Sequence, residues 1–194
     1  MKRKVLFTVL LSIAMVWSAS AQKISGDISP LKGQKEVNVV IDFTGTLVNG
    51  KAEQIYIDAE TKKKNEVEKE KWLTAWNNTL RTDAYSSLIK HLNDRLGNNN
   101  FTAGDFANAE YTIIVKVKDI TTGFFAGPIT KASAVKADVT FVRTGETTPF
   151  ATVIFKKSSG AFSSEMPHLI TRIAMSFGSL GMELGILVNR ALLR

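Results

Sequence analysis

The stretch AVKADVTFVRTGETTPFATVIFKKSSG, residues 134–160, decides what kind of fold this chain adopts. Val135, Ala137, Val139 and Phe141 alternate with Lys136, Asp138 and Thr140. After a short link, Ala151, Val153 and Phe155 alternate with Thr152 and Lys156. Successive side chains on an extended chain point to opposite faces, so each run buries one face and wets the other. The link Arg143-Thr-Gly-Glu-Thr-Thr-Pro149 is short and rich in turn formers. Such links join antiparallel neighbours, because a parallel pair needs a crossover of about a dozen residues or more.

Upstream, Tyr111, Ile113, Val115 and Val117 alternate with Thr112, Lys116 and Lys118, so residues 110–157 read as an antiparallel meander. Val37, Val39, Ile41 and Phe43 form an earlier half-buried strand, closed by the turn formers Gly45, Asn49 and Gly50. Between these regions the period lengthens. Glu60 to Lys71 is dense in charge, with Lys62/Glu66 and Lys64/Glu68 spaced to pair along a solvated helix face, and Leu73, Trp76 and Leu80 continue it with an apolar side. Thr82 or Asp83 is placed to cap a second helix, in which Ala84, Leu88, Leu92 and Leu96 recur every fourth residue until Gly97. A long helix from about Glu165 to Arg190 closes the chain. Gly178, Gly181 and Gly185 share one face of it, and each costs about 1 kcal/mol against alanine. Their spacing predicts a backbone packed closely on the sheet, with Ile173, Phe177, Leu180, Leu184 and Val188 around it.

The expectation is therefore one α+β domain over 36–194: a small, mainly antiparallel sheet of about four strands, with two or three helices packed on one face. Residues 22–35, with Gly26, Pro30 and Gly33, read as a loose lead-in. Residues 1–21 match a secretory signal peptide. Lys2, Arg3 and Lys4 precede the short apolar run Val5 to Val16, and Ala19-Ser20-Ala21 forms a small-residue cleavage site. That run is too short for a resident membrane helix, and no other segment suggests a span. The expected location is periplasmic or associated with the outer envelope. The formal charge is +7, but those three leader cations belong to it, so the exported chain is only mildly basic. No Arg-rich stripe with interleaved aromatics points to nucleic acid. The 194 residues hold no cysteine, which removes disulfides, thiol nucleophiles and thiolate metal sites.

The stretch VNVVIDFTGTLVNG, residues 37–50, resembles the first motif of the haloacid-dehalogenase-type phosphatases, with Asp42 in the position of the aspartate that attacks phosphorus. The resemblance implies a second acid two residues on, where this chain has Thr44. It also implies a late acidic pair for Mg²⁺, for which Asp105 in Gly104-Asp-Phe-Ala-Asn-Ala-Glu110 is the candidate. Neither His91 nor His168 has a second histidine three or four residues away, so no metal or cofactor is expected. Trp72 and Trp76, one helical turn apart, are candidates for stacking on a sugar or for the core. Phe124 and Phe125 in TTGFFAGPITK, residues 121–131, are candidates for a contact surface, because adjacent side chains on an extended chain point opposite ways.

The order of strand, helices, meander and small-residue helix resembles the small periplasmic domains of the curli-secretion lipoprotein and the TolB amino-terminal region. It is similar as well to secreted families of Bacteroides-type bacteria. The resemblance implies a non-enzymatic envelope binding or assembly module, partnered by another envelope protein or by itself. A Mg²⁺-dependent phosphatase and a glycan binder remain the alternatives.

Overall fold

Where the period of two predicts strands, the structure has them. The computed structural model describes residues 23–96, 101–126, 129–160 and 168–193, and the predicted leader lies outside them. In chain order the elements are β1 (Ser25–Gly26), β2 (Glu36–Asp42), β3 (Leu47–Val48), β4 (Lys51–Ala52), α1 (Glu53–Thr61) and α2 (Glu66–Thr74). A π turn (Ala75–Thr79) leads into α3 (Leu80–Leu96). Then come β5 (Thr102–Gly104), β6 (Tyr111–Thr121), β7 (Phe124–Ala126), β8 (Ile129–Lys131), β9 (Ala134–Arg143), β10 (Ala151–Ser159) and α4 (Leu169–Leu192). β6, β9 and β10 form the antiparallel meander, and β7–β8 is a separate two-stranded hairpin between its first two strands.

The expected small, mainly antiparallel sheet of about four strands is overturned. The sheet has eight strands, is mixed, and runs β1-β10-β9-β6-β2-β5, with β3 attached to β6 and β4 to β3. β2 lies parallel to both β6 and β5, and β3 lies parallel to β6. The helices between β2 and β6 are the crossover that a parallel pair requires. The strands missing from the expectation are two or three residues long, too short to display alternation. The α+β class itself stands.

The helical region also starts differently. Asn65 caps α2 through a capping box: its side chain accepts from the Glu68 N–H at 2.9 Å, and its own N–H donates to Glu68 Oε2 at 3.3 Å. No new cap is built at Thr82 or Asp83, because α2 runs through the π turn into α3. Trp76, Leu80, Ala84, Leu88, Leu92 and Leu96 are then all fully buried.

α4 supplies the other half of the helix layer. Ile173, Phe177, Leu180, Leu184 and Val188 are fully buried. The glycine face meets α3, not the sheet. A Cβ on Gly181 would run into the Leu88 carbonyl oxygen, and one on Gly185 would lie 2.9 Å from the Leu92 carbonyl oxygen. The predicted close backbone approach is present, but its partner is the neighbouring helix. α4 is long and apolar enough by composition to cross a membrane, and here half of its most apolar stretch is buried within the protein. The core lies between this helix layer and the inner sheet face of Val37, Val39, Ile113, Val115, Val139, Phe141, Val153 and Phe155.

Candidate functional site

The register determines what stands on the other face of the sheet. Val40 pairs with Ile114, Ile114 with Thr140, and Thr140 with Thr152, giving one row across four strands. Asp42, Lys116, Asp138 and Ile154 form the next row by the same pairings. Alternation puts both rows opposite the core. The chain 105–110 folds toward the far end, where the Phe106 N–H donates to Asn38 Oδ1 at 3.1 Å, and Thr112 and Val142 are buried. The Val40 and Asp42 rows stay open: Val40 is 44% exposed and Ile154 62%. Cross-strand ion pairs lace this surface, with Lys116 Nζ 3.7 Å from Asp42 Oδ2 and Lys118 Nζ 3.6 Å from Asp138 Oδ2. Pairs this exposed add little stability. What they fix is a pattern of charge.

Asp42, the aspartate of the phosphatase-like motif, belongs to this surface. Its Oδ1 accepts the Thr44 N–H at 2.8 Å, closing the turn that ends β2. That hydrogen bond, with Lys116 nearby, holds the carboxyl below the usual carboxylate range. Asp105 is not beside it. β5 ends at Gly104, opposite Asn38, so Asp42 stands four residues, or about 13 Å, farther along the sheet than the end of β5. Asp105 adds to the upward shift of the Tyr85 phenol on α3, behind the larger effect of burial. The two carboxylates of the phosphatase alternative are thus offset along the sheet. Among the described residues no group of three or more His, Asp or Glu side chains could hold a metal ion.

Trp72 and Trp76 do stack, with centroids 5.4 Å apart and planes 6° from parallel. Trp76 is fully buried, and its indole N–H donates to Glu53 Oε1 at 2.7 Å. Arg81 Nη2 meets the same oxygen at 2.6 Å, while its guanidinium lies 3.9 Å over the Phe43 ring. This network ties α1 and α3 to the end of β2, and Trp72 is half-buried against the core. Phe124 is 46% exposed at the start of β7, and the Phe125 side chain lies outside the described residues. His91 Nδ1 is 2.8 Å from the Ser87 carbonyl of its own helix, and His168 precedes α4 as its N-cap residue without a side-chain cap bond.

Sequence reading missed the open face as a unit, although Val40, Ile114 and Ile154 were each visible in it. Only the parallel placement of β2 beside β6 brings them together. It also missed Tyr56, whose ring stands 6.2 Å from Trp72 and 5.1 Å from Trp76.

No family model matches the chain, and no curated protein matches it. Among solved structures it is similar to a chain of the PelC dodecamer from Paraburkholderia phytofirmans. The identity is 10%, the match covers 84% of this chain and 95% of that one, and the TM-score is 0.44.

Proposed function

We propose that this chain is an exported, non-enzymatic assembly module of the cell envelope, and that it docks a second copy of itself through the open sheet face. The observation that carries the reading is the charge and apolar pattern of that face. Place a two-fold axis along the strands, between β6 and β9. β6 then faces β9 of the other copy, and β2 faces β10. Lys116 meets Asp138, Ile114 meets Thr140, and Val40 meets Thr152, following the register of the sheet. Lys116 and Asp138 fall together without a shift, as a two-fold interface requires of one surface, while Asp42 at the edge faces Ile154 and keeps its own Lys116 as partner. The leader-like residues 1–21 support the location. The separation of Asp42 from Asp105 speaks against the phosphatase reading.

Sedimentation velocity over a concentration series tests this reading. The parent protein is expected to dimerise. Lys116→Asp is expected to stay monomeric, because the introduced carboxylate would face Asp138 of the other copy. The charge swap Lys116→Asp/Asp138→Lys is expected to restore the dimer. A parent that is monomeric at every concentration, or a dimer indifferent to Lys116→Asp, overturns it.

A further inference from the structure

A second surface, remote from the two open rows, has the construction of a ligand site. A cleft of about 470 Å³ opens between α1, the β3–β4 turn, the junction of β6 with β7, and the first turn of α4. Its walls are Tyr56 and Glu60 from α1, Asn49 from the turn, Thr122 and Phe124 from the junction, and Arg172 from α4.

The floor is held rigidly. Asn49 adopts φ +52°, an uncommon conformation for a residue other than glycine. Its side chain grips Thr122 from both ends: Nδ2 donates to the Thr122 hydroxyl at 3.0 Å, and Oδ1 accepts the Thr122 N–H at 3.1 Å. The Ser133 hydroxyl, buried, donates to the Thr122 carbonyl at 2.7 Å. Gly123 has φ +65°, and a Cβ there would lie 2.7 Å from the Ser133 nitrogen, so only glycine fits. Local strain held by such a network is characteristic of binding sites. Here it presents the half-exposed Phe124 ring beside the cleft on a fixed backbone.

We infer that this cleft binds a saccharide. Phe124 offers an apolar ring face for the C–H face of a pyranose. Tyr56 and Thr122 line the same cleft, and the Tyr56 phenol feels both the Glu60 carboxylate and the Arg172 guanidinium. Acceptor, donor and phenol therefore converge on one cleft. An anionic ligand would meet Glu60, a cationic one Arg172, and a hydrocarbon would strip water from Glu60 without replacing its hydrogen bonds. A polyhydroxyl ligand supplies donors and acceptors to both. The size suits a small ligand. The inference is independent of the docking face proposed above.

Isothermal titration calorimetry of the purified protein with soluble tetrasaccharides of glucose, galactose, mannose and N-acetylglucosamine tests it, at roughly millimolar concentration. At least one is expected to bind. Phe124→Ala and Glu60→Ala are each expected to weaken that binding at least about fivefold, Phe124→Trp to retain it, and Ile154→Ala on the open sheet face to leave it unchanged. No binding by any of the four, or binding unaffected by both Phe124→Ala and Glu60→Ala, overturns the inference. A failure of dimerisation leaves these outcomes as they stand.

Discussion

Replacing Gly181 with alanine adds one methyl group where α4 crosses α3, and the structure fixes the sign of its effect. On an exposed helix the change would stabilise by up to about 1 kcal/mol, because glycine carries the larger conformational cost. Here the new Cβ would run into the Leu88 carbonyl oxygen and lie 3.0 Å and 3.1 Å from the Leu88 carbonyl carbon and Cα. These are backbone atoms inside a helix, so relief requires the two helices to separate. Overpacking of this kind costs about 1–3 kcal/mol. Backbone atoms cannot rotate away, so the upper part of that range, about 2–3 kcal/mol, applies; setting the propensity gain against it leaves a net loss of about 1–2 kcal/mol, or a fall of roughly 2–8 °C in Tm for a chain of this size. The neighbours grade the effect. Gly178→Ala meets the Ser87 hydroxyl at 2.7 Å and the His91 ring at 2.9 Å, side-chain atoms that can rotate away. Gly185→Ala meets Arg95 Cβ at 2.6 Å and the Leu92 carbonyl oxygen at 2.9 Å, and falls between the two. Denaturant unfolding with an unchanged slope is the assay, so that a midpoint shift reports stability alone. If Gly181→Ala is as stable as the parent or more so, the helices do not meet there and the packing argument is wrong.

Burial, assisted by Glu60, pushes the Tyr56 phenol from 10.0 up to about 12. Between those values the folded protein holds a proton that the unfolded chain has lost. The stabilisation is thus complete below pH 10 and disappears as pH rises through 12. Phenolate absorbance of the parent minus that of Tyr56→Phe should give the high value, and a titration near 10 would contradict the burial argument. Glu53→Ala removes the acceptor of both the Trp76 indole and Arg81. Orphaning those donors is expected to cost about 1–3 kcal/mol, read as a lower denaturant midpoint; an unchanged midpoint would mean that water replaces the carboxylate freely.

The meander was legible because β6, β9 and β10 are nine to eleven residues long, enough to repeat their alternation. The four-residue period of Ala84, Leu88, Leu92 and Leu96 fixed the buried face of α3 for the same reason. The parallel insertion of β2 was not legible. Nothing in Val37-Asn-Val-Val-Ile-Asp42 says which strand lies beside it; that follows from where three consecutive helical segments return the chain. The glycines announced a close approach by their cost, but a missing side chain carries no sign of its partner. The ligand cleft was hidden further. Asn49 and Tyr56 are far in sequence from Thr122 and from Arg172, and only Phe124 stood out, through its adjacency to Phe125.

The central claim is that two copies meet through the open sheet face with β2 over β10. The chain has no cysteine, so single introduced thiols report without background. Val40→Cys and Thr152→Cys proteins, mixed and treated with a bismaleimide spanning about the 10 Å between packed sheets, should yield a covalent dimer. Either variant alone should not, because the two-fold places identical positions at opposite edges of the interface. Cross-linking in the mixture alone is the predicted result. No dimer in the mixture, or equal dimer from each variant by itself, would contradict the account.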